Sequence, residues 1–107
     1  MRSNYFDFEK TDVYTLAVAV NRTVATMRWP TGRSHLKDQA VRAADSMVLN
    51  IAEGWERGRN TRAGRNHFRI AKGSAGEVFA VLDILATEPE ARAHLQRIGS
   101  MIHGLSG

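Results

Sequence analysis

Phe68 to Leu85 reads FRIAKGSAGEVFAVLDIL, and the spacing of its apolar residues decides the fold. Phe68, Ala71, Ala75, Val78, Leu82 and Leu85 recur at intervals of three and four. That interval places them on one face of an α-helix, as a heptad-like seam. Ile70, Val81 and Ile84 add a second apolar flank. Gly73, Gly76 and Ala80 lie near one another on the helix surface and would let another backbone approach closely. Interior glycines cost about 1 kcal/mol each relative to alanine, which calls for a packing reason. With Thr61 as its cap, this helix is predicted over 62–86.

Working outward, the preceding stretch is helical as well. Leu36, Ala40, Ala44, Met47, Ile51 and Gly54 form one line, and Val41, Val48, Ala52 and Trp55 form a second beside it. The apolar arc is wider than one packing seam requires, so this helix, predicted over 35–57, is contacted from two sides. An earlier helix is predicted over 12–27, with Val13, Leu16, Val20, Val24 and Met27 on one face and Asp12 as its N-cap. RWPTGRS then forces a turn through Pro30 and Gly32 and offers Ser34 as the next cap. At the other end, Glu88-Pro89 opens a helix over 89–105, because proline is tolerated in a first turn. Ala91, Leu95, Ile98, Ile102 and Leu105 carry its apolar face.

Four amphipathic helices with short links predict a single all-α domain over 1–107, an antiparallel up-down-up-down four-helix bundle. The two central helices are the longest, at about 35 Å against about 25 Å for the outer pair. Their hairpin should protrude by a turn or two at one end and leave the 57–61 loop, or the loops to the outer helices, exposed.

Composition narrows the chemistry. The chain of 107 residues has no cysteine, which excludes thiolate metal sites, disulfides and cysteine nucleophiles and fits a reducing cytoplasm. MRSNYFDFEKTD at the N-terminus carries acids and no apolar core, unlike a signal peptide. No apolar run approaches the ~20 residues that span a bilayer. The expectation is a cytoplasmic protein with no membrane partner. Fifteen lysines and arginines against eleven acids give +4, with arginine far outnumbering lysine.

The stretch SMVLNIAEGWERGRN, Ser46 to Asn60, sets polar residues into an apolar run. Asn50 and Glu53 share a face, Glu53 reaches Arg57 one turn later, and Ser46 extends the line one turn earlier. A general base at Glu53 needs a converging acid, histidine or metal. Glu77, with Ser74 one turn before it, is the nearest candidate by symmetry. A carboxylate metal site in a bundle usually adds Glu-x-x-His, which does not occur here. The four histidines, His35, His67, His94 and His103, are scattered with no helical zinc spacing and read as surface or edge residues. GRNTRAG lacks the strand and the GK[ST] of a phosphate loop. The reading is therefore non-enzymatic, with no cofactor and no metal. Asn50, Glu53, Gly54, Gly73, Ser74 and Glu77 are taken as structural and interface residues that set helix register.

From Arg57 to Gly76 the chain carries Arg57, Arg59, Arg62, Arg65, Arg69 and Lys72 without one acid. The last four are spaced three, four and three, so they line one helix face that starts at the loop. Such a stripe can follow a phosphate backbone. It can equally be a solvated face, or pair with acids of adjacent subunits.

NIAEG at 50–54, the arginine-rich loop after it and FRIAKGSAGEV at 68–78 resemble the bacterial four-helix-bundle family of 23S ribosomal-RNA intervening-sequence proteins. LAVAV and LQRIGSMIHGL on the outer helices fit as well. That family includes the accessory variability protein of diversity-generating retroelements. The resemblance implies an antiparallel four-helix bundle that assembles as a ring, typically a homopentamer, with no established catalytic activity. The retroelement member binds nucleic acid and associates with a reverse transcriptase. The family's recurrent residues fall on Asn50, Glu53, Gly54, Gly73, Ser74 and Glu77. Val48 stands where a proline is frequent, which leaves this helix unkinked. The expected partners are other copies of the chain, RNA or DNA, and a reverse transcriptase or another protein. The expected role is an accessory factor that binds nucleic acid, the rival being a protein-interaction adaptor or scaffold with no direct nucleic-acid role.

Overall fold

A computed structural model describes residues 6–106. The first residues of MRSNYFDFEKTD, on which the reading of the N-terminus partly rests, and Gly107 lie outside the described residues. The described residues form four α-helices: α1 (Asp12–Thr26), α2 (Ser34–Arg57), α3 (Arg62–Leu85) and α4 (Pro89–Ser106). Each packs against its two neighbours in the cycle α1–α2–α3–α4–α1, and the α2–α3 interface is the most extensive. This is the all-α four-helix bundle expected.

Its core is the set of apolar lines read from the sequence. Leu36, Ala40, Ala44, Met47, Ile51 and Gly54 are all buried on α2, and Phe68, Ala71, Ala75, Val78 and Leu82 are buried opposite them on α3. Val13, Val20 and Val24 close the core from α1, and Ala91, Leu95, Ile98 and Ile102 from α4. Val41, Val48 and Trp55, the second line of α2, are partly buried against this core. Leu16, Met27, Leu85 and Leu105 also lie at the edge of the core. Of the flank on α3, Val81 is buried while Ile70 and Ile84 face outward.

Helix ends depart from expectation by about one residue. Thr11, not Asp12, caps α1: its backbone is extended and its side chain accepts the Tyr14 N–H at 3.3 Å. Asp12 becomes the first helical residue, where its charge still complements the helix N-terminus. Ser34 does not cap α2. A Pro30–Arg33 turn lets the Arg33 carbonyl accept from Leu36 and Lys37, so the helix starts one residue early. Thr61 caps α3 as expected, accepting the Gly64 N–H at 2.9 Å. The end of α3 is a Schellman turn, in which Thr87 N–H bonds Leu82 and Ala86 N–H bonds Asp83. Ala86 occupies its left-handed position with φ 52°, and Glu88 follows with φ 54°. A feature not expected from the sequence is a 3-10 turn, Asp7–Lys10, packed on α1 and α2. It is joined to α1 by a tilted contact between the Phe8 and Tyr14 rings, with centroids 4.8 Å apart.

The two long helices have 24 residues each, against 15 and 18 for α1 and α4. Lys72 of α3 lies 3.2 Å from His103 of α4, so α4 ends about level with Arg69. The first two turns of α3 therefore run past Ser106, the last described residue of α4, carrying the Gly58–Thr61 loop with them.

Candidate nucleic-acid interface

Two different surfaces share the α2–α3 hairpin, and its register sets where one gives way to the other. Along the middle of the hairpin the helices are joined by polar side chains. Ser74 Oγ donates to Ser46 Oγ at 2.9 Å, and Asn50 Nδ2 donates to the Ser46 carbonyl at 2.9 Å. With its amide nitrogen so used, Asn50 presents Oδ1 to His67 Nδ1 at 2.8 Å. An amide oxygen only accepts, so His67 carries a proton on Nδ1. Its Nε2 then faces Glu53 at 3.9 Å, and Glu53 also takes a hydrogen bond from Arg57 Nε at 3.2 Å.

This ladder gathers Ser46, Asn50, Glu53 and Ser74, and it recruits His67, which the sequence reading had set among surface histidines. It does not gather Glu77. The pairs Ser46–Ser74 and Asn50–His67 put Glu53 about level with His67 in the second turn of α3, and Glu77 lies about 15 Å further along the axis. The two carboxylates therefore do not converge as the symmetry of their motifs had suggested. Glu77 is exposed, as is Gly73. Among the described residues no group of three or more His, Cys, Asp or Glu is placed to hold a metal ion.

Below the ladder, glycines let the helices close. A Cβ at Gly54 would lie 2.6 Å from the Phe68 ring. A Cβ at Gly64 would overlap the Gly58 carbonyl and sit 2.8 Å from that of Gly54. Backbone meets backbone here, so Gly64 is a determinant of the hairpin that sequence reasoning missed. By contrast, Gly73 and Gly76 would accept a Cβ with nothing within 4 Å.

Beyond the glycines lies the tip, and its character changes. Arg57, Arg59, Arg62, Arg69 and Lys72 are exposed, and Arg65 is half-buried. Arg65 donates to the Asn60 carbonyl at 2.8 Å, which fixes the loop. The Arg59 guanidinium lies 5.7 Å from the centre of the Trp55 ring. Arg57 pairs with Glu53 across an exposed helix turn, an arrangement that contributes little to stability. Among the described residues no carboxylate lies within 4 Å of Arg59, Arg62, Arg65 or Lys72. A groove lined by Val18, Asn21, Arg22, Asp45, Val48 and Leu49 holds about 300 Å³ between α1 and α2. It contains none of the tip residues.

The family model of the 23S rRNA-intervening sequence protein matches residues 9–103, a span that takes in the ladder, the glycines and the tip. The chain belongs to that family. No curated protein and no solved structure is similar enough to match. As a member of the intervening-sequence family, the chain carries NIAEG on α2 and A-x-G-S-x-x-E on α3, at 71–77. Their Asn50 and Ser74 lie in the inter-helix ladder, while Gly73 and Glu77 face outward. Helix α2 is continuous through Val48. None of the described helices is long and apolar enough to cross a membrane.

Proposed function

We propose that this chain is a non-enzymatic, cytoplasmic accessory protein that binds the backbone of RNA or DNA through the tip of the α2–α3 hairpin. The observation that carries the reading is a row of cations with few acids to neutralise it, which starts at the Gly58–Thr61 loop and runs down α3 until Lys72 comes alongside α4 at His103. Phosphate contacts by arginine give affinity with little dependence on base sequence. Arg57, Arg59, Arg62, Arg65, Arg69 and Lys72 are the contact residues in this proposal. Binding to a labelled oligonucleotide should be measurable at low salt and weaken steeply as salt rises. Absence of binding to both RNA and DNA at low salt overturns the reading. An adaptor that docks an acidic protein, such as a reverse transcriptase, would retain its partner in a pull-down after nuclease treatment. A nucleic-acid binder would lose it.

The same proposal includes assembly of copies into a closed ring, a pentamer by family resemblance. Its support is the surface left uncovered: Leu49 on α2 is 64% exposed and Ile84 on α3 59% exposed. Gly73, Gly76 and Ala80 lie on the outer side of α3 with Ile70 and Ile84, where a second backbone could come close. A ring would repeat the cationic tip around its axis and multiply phosphate contacts. Light scattering at micromolar concentration tests it, and a clean monomer contradicts it.

A further inference from the structure

The chain has two tryptophans, and they are held in different ways. Trp29, after α1, packs on the core and donates its indole N–H to the Val24 carbonyl at 3.2 Å. Its body and its polar atom are both satisfied, as a structural tryptophan requires. Trp55 meets the Phe68 ring edge-on, with centroids 5.8 Å apart and planes at 80°. Its N–H is buried, with no acceptor among the described residues. The indole ring has the Arg59 guanidinium over it. Arg59 is exposed and belongs to the Gly58–Thr61 loop, and among the described residues no carboxylate pairs with it there. It lies between Arg57 and Arg62, on the surface assigned above to phosphates.

We infer that Trp55 is a stacking platform for one unpaired nucleobase, uncovered when Arg59 leaves the indole for a phosphate. A guanidinium and a nucleobase are both planar and compete for the same π-face. The nucleic acid supplies both replacements at once: its phosphate takes the cation and its base takes the ring. A base inside a duplex has both faces already stacked and offers none to the indole. The tip should therefore prefer single-stranded segments, loops or bulges to continuous duplex, with any of the bases accepted. This inference rests on the proposed role of the tip and adds the class of nucleic acid it takes.

The test compares a labelled single-stranded oligouridylate and oligothymidylate with a blunt duplex of equal length, at low salt. Trp55→Leu keeps an apolar side chain against Phe68 and removes the flat ring. It should weaken single-strand binding by about five- to a hundredfold, the range found for loss of one base–aromatic stack, and leave duplex binding within about twofold. The two single strands separate RNA from DNA: similar losses on both place the contact at the base, and a loss on either alone still supports stacking there. In a Trp29→Phe background Trp55 is the sole tryptophan, so its fluorescence reports the contact without any change to the hairpin. Single strands should quench it saturably, at the concentrations that raise anisotropy, and duplex should not. If both probes bind but Trp55→Leu affects them equally or not at all, or fluorescence is unmoved by single strands, the stacking inference fails and the backbone reading stands. If neither probe binds at low salt, both fall together.

Discussion

The seam and the tip of the α2–α3 hairpin are built from one antiparallel helix pair, yet they handle polar groups in opposite ways. In the seam, Ser46, Asn50, His67 and Ser74 spend their hydrogen-bonding capacity on each other across the helices. At the tip, a few residues further along, cations point outward, and the hydrogen bond of Arg65 goes to its own loop. The seam fixes where the helices lie relative to one another. The tip leaves charge unspent, which is what a surface for a polyanion requires. Residues of the seam should therefore matter for stability and residues of the tip for affinity.

The comparison breaks most sharply at Gly64. Alanine there places a Cβ into the backbone of Gly58 and close to the Gly54 carbonyl of α2, with no flexible side chain to yield. Gly64→Ala should lose about 3 kcal/mol or more in urea denaturation, at the upper end of overpacking effects. A loss below about 1 kcal/mol would mean that the helices are not held as close as described. Next comes Asn50→Ala, which leaves the His67 Nδ1–H and the Ser46 hydroxyl short of a partner in a part-buried seam. The expected cost is about 1–3 kcal/mol, with oligonucleotide affinity per folded molecule unchanged.

Smaller effects sharpen the contrast. Ala86→Gly should gain about 1 kcal/mol, because alanine in the left-handed region costs about 1–2 kcal/mol that glycine does not. Gly73→Ala should also gain, by about 0.5–1 kcal/mol, since the new methyl meets open space and the helix prefers alanine. That gain pairs with a second readout. If copies of the chain meet across this face of α3, light scattering should show Gly73→Ala assembling more weakly even as the isolated bundle becomes more stable.

Much of this architecture is legible in the sequence, for a simple reason. The lines Leu36 to Gly54 and Phe68 to Leu82 obey single-helix geometry, and a spacing of three and four needs no knowledge of the neighbour. The caps were harder, because Thr11 and Asp12 are both good capping residues and only backbone conformation decides between them. His67 and Gly64 were missed because each owes its role to the other helix. His67 is one of four scattered histidines until register sets it against Asn50. Gly64 falls in the first turn of the helix predicted over 62–86 with nothing beside it in sequence to mark it, although Gly54 and Gly64 are symmetric about Arg59 and so meet when the hairpin closes. The same register separates Glu53 from Glu77, which motif symmetry alone had brought together. The arginine stripe was readable as charge. What it meets depends on a partner that the chain does not encode.

The most direct test measures one variant in two ways. Replacing Arg62, Arg65 and Arg69 together with alanine should lower urea stability by no more than about 1.5 kcal/mol, the worth of the one hydrogen bond that the half-buried Arg65 gives to the Asn60 carbonyl, since Arg62 and Arg69 are exposed. Oligonucleotide affinity at low salt should fall at least tenfold, and the slope of log affinity against log salt should drop by about 2–3, in proportion to the phosphate contacts removed. Unchanged affinity with an unchanged slope, or a bundle that unfolds when these three cations are lost, would contradict the division between a seam that holds the fold and a tip that binds.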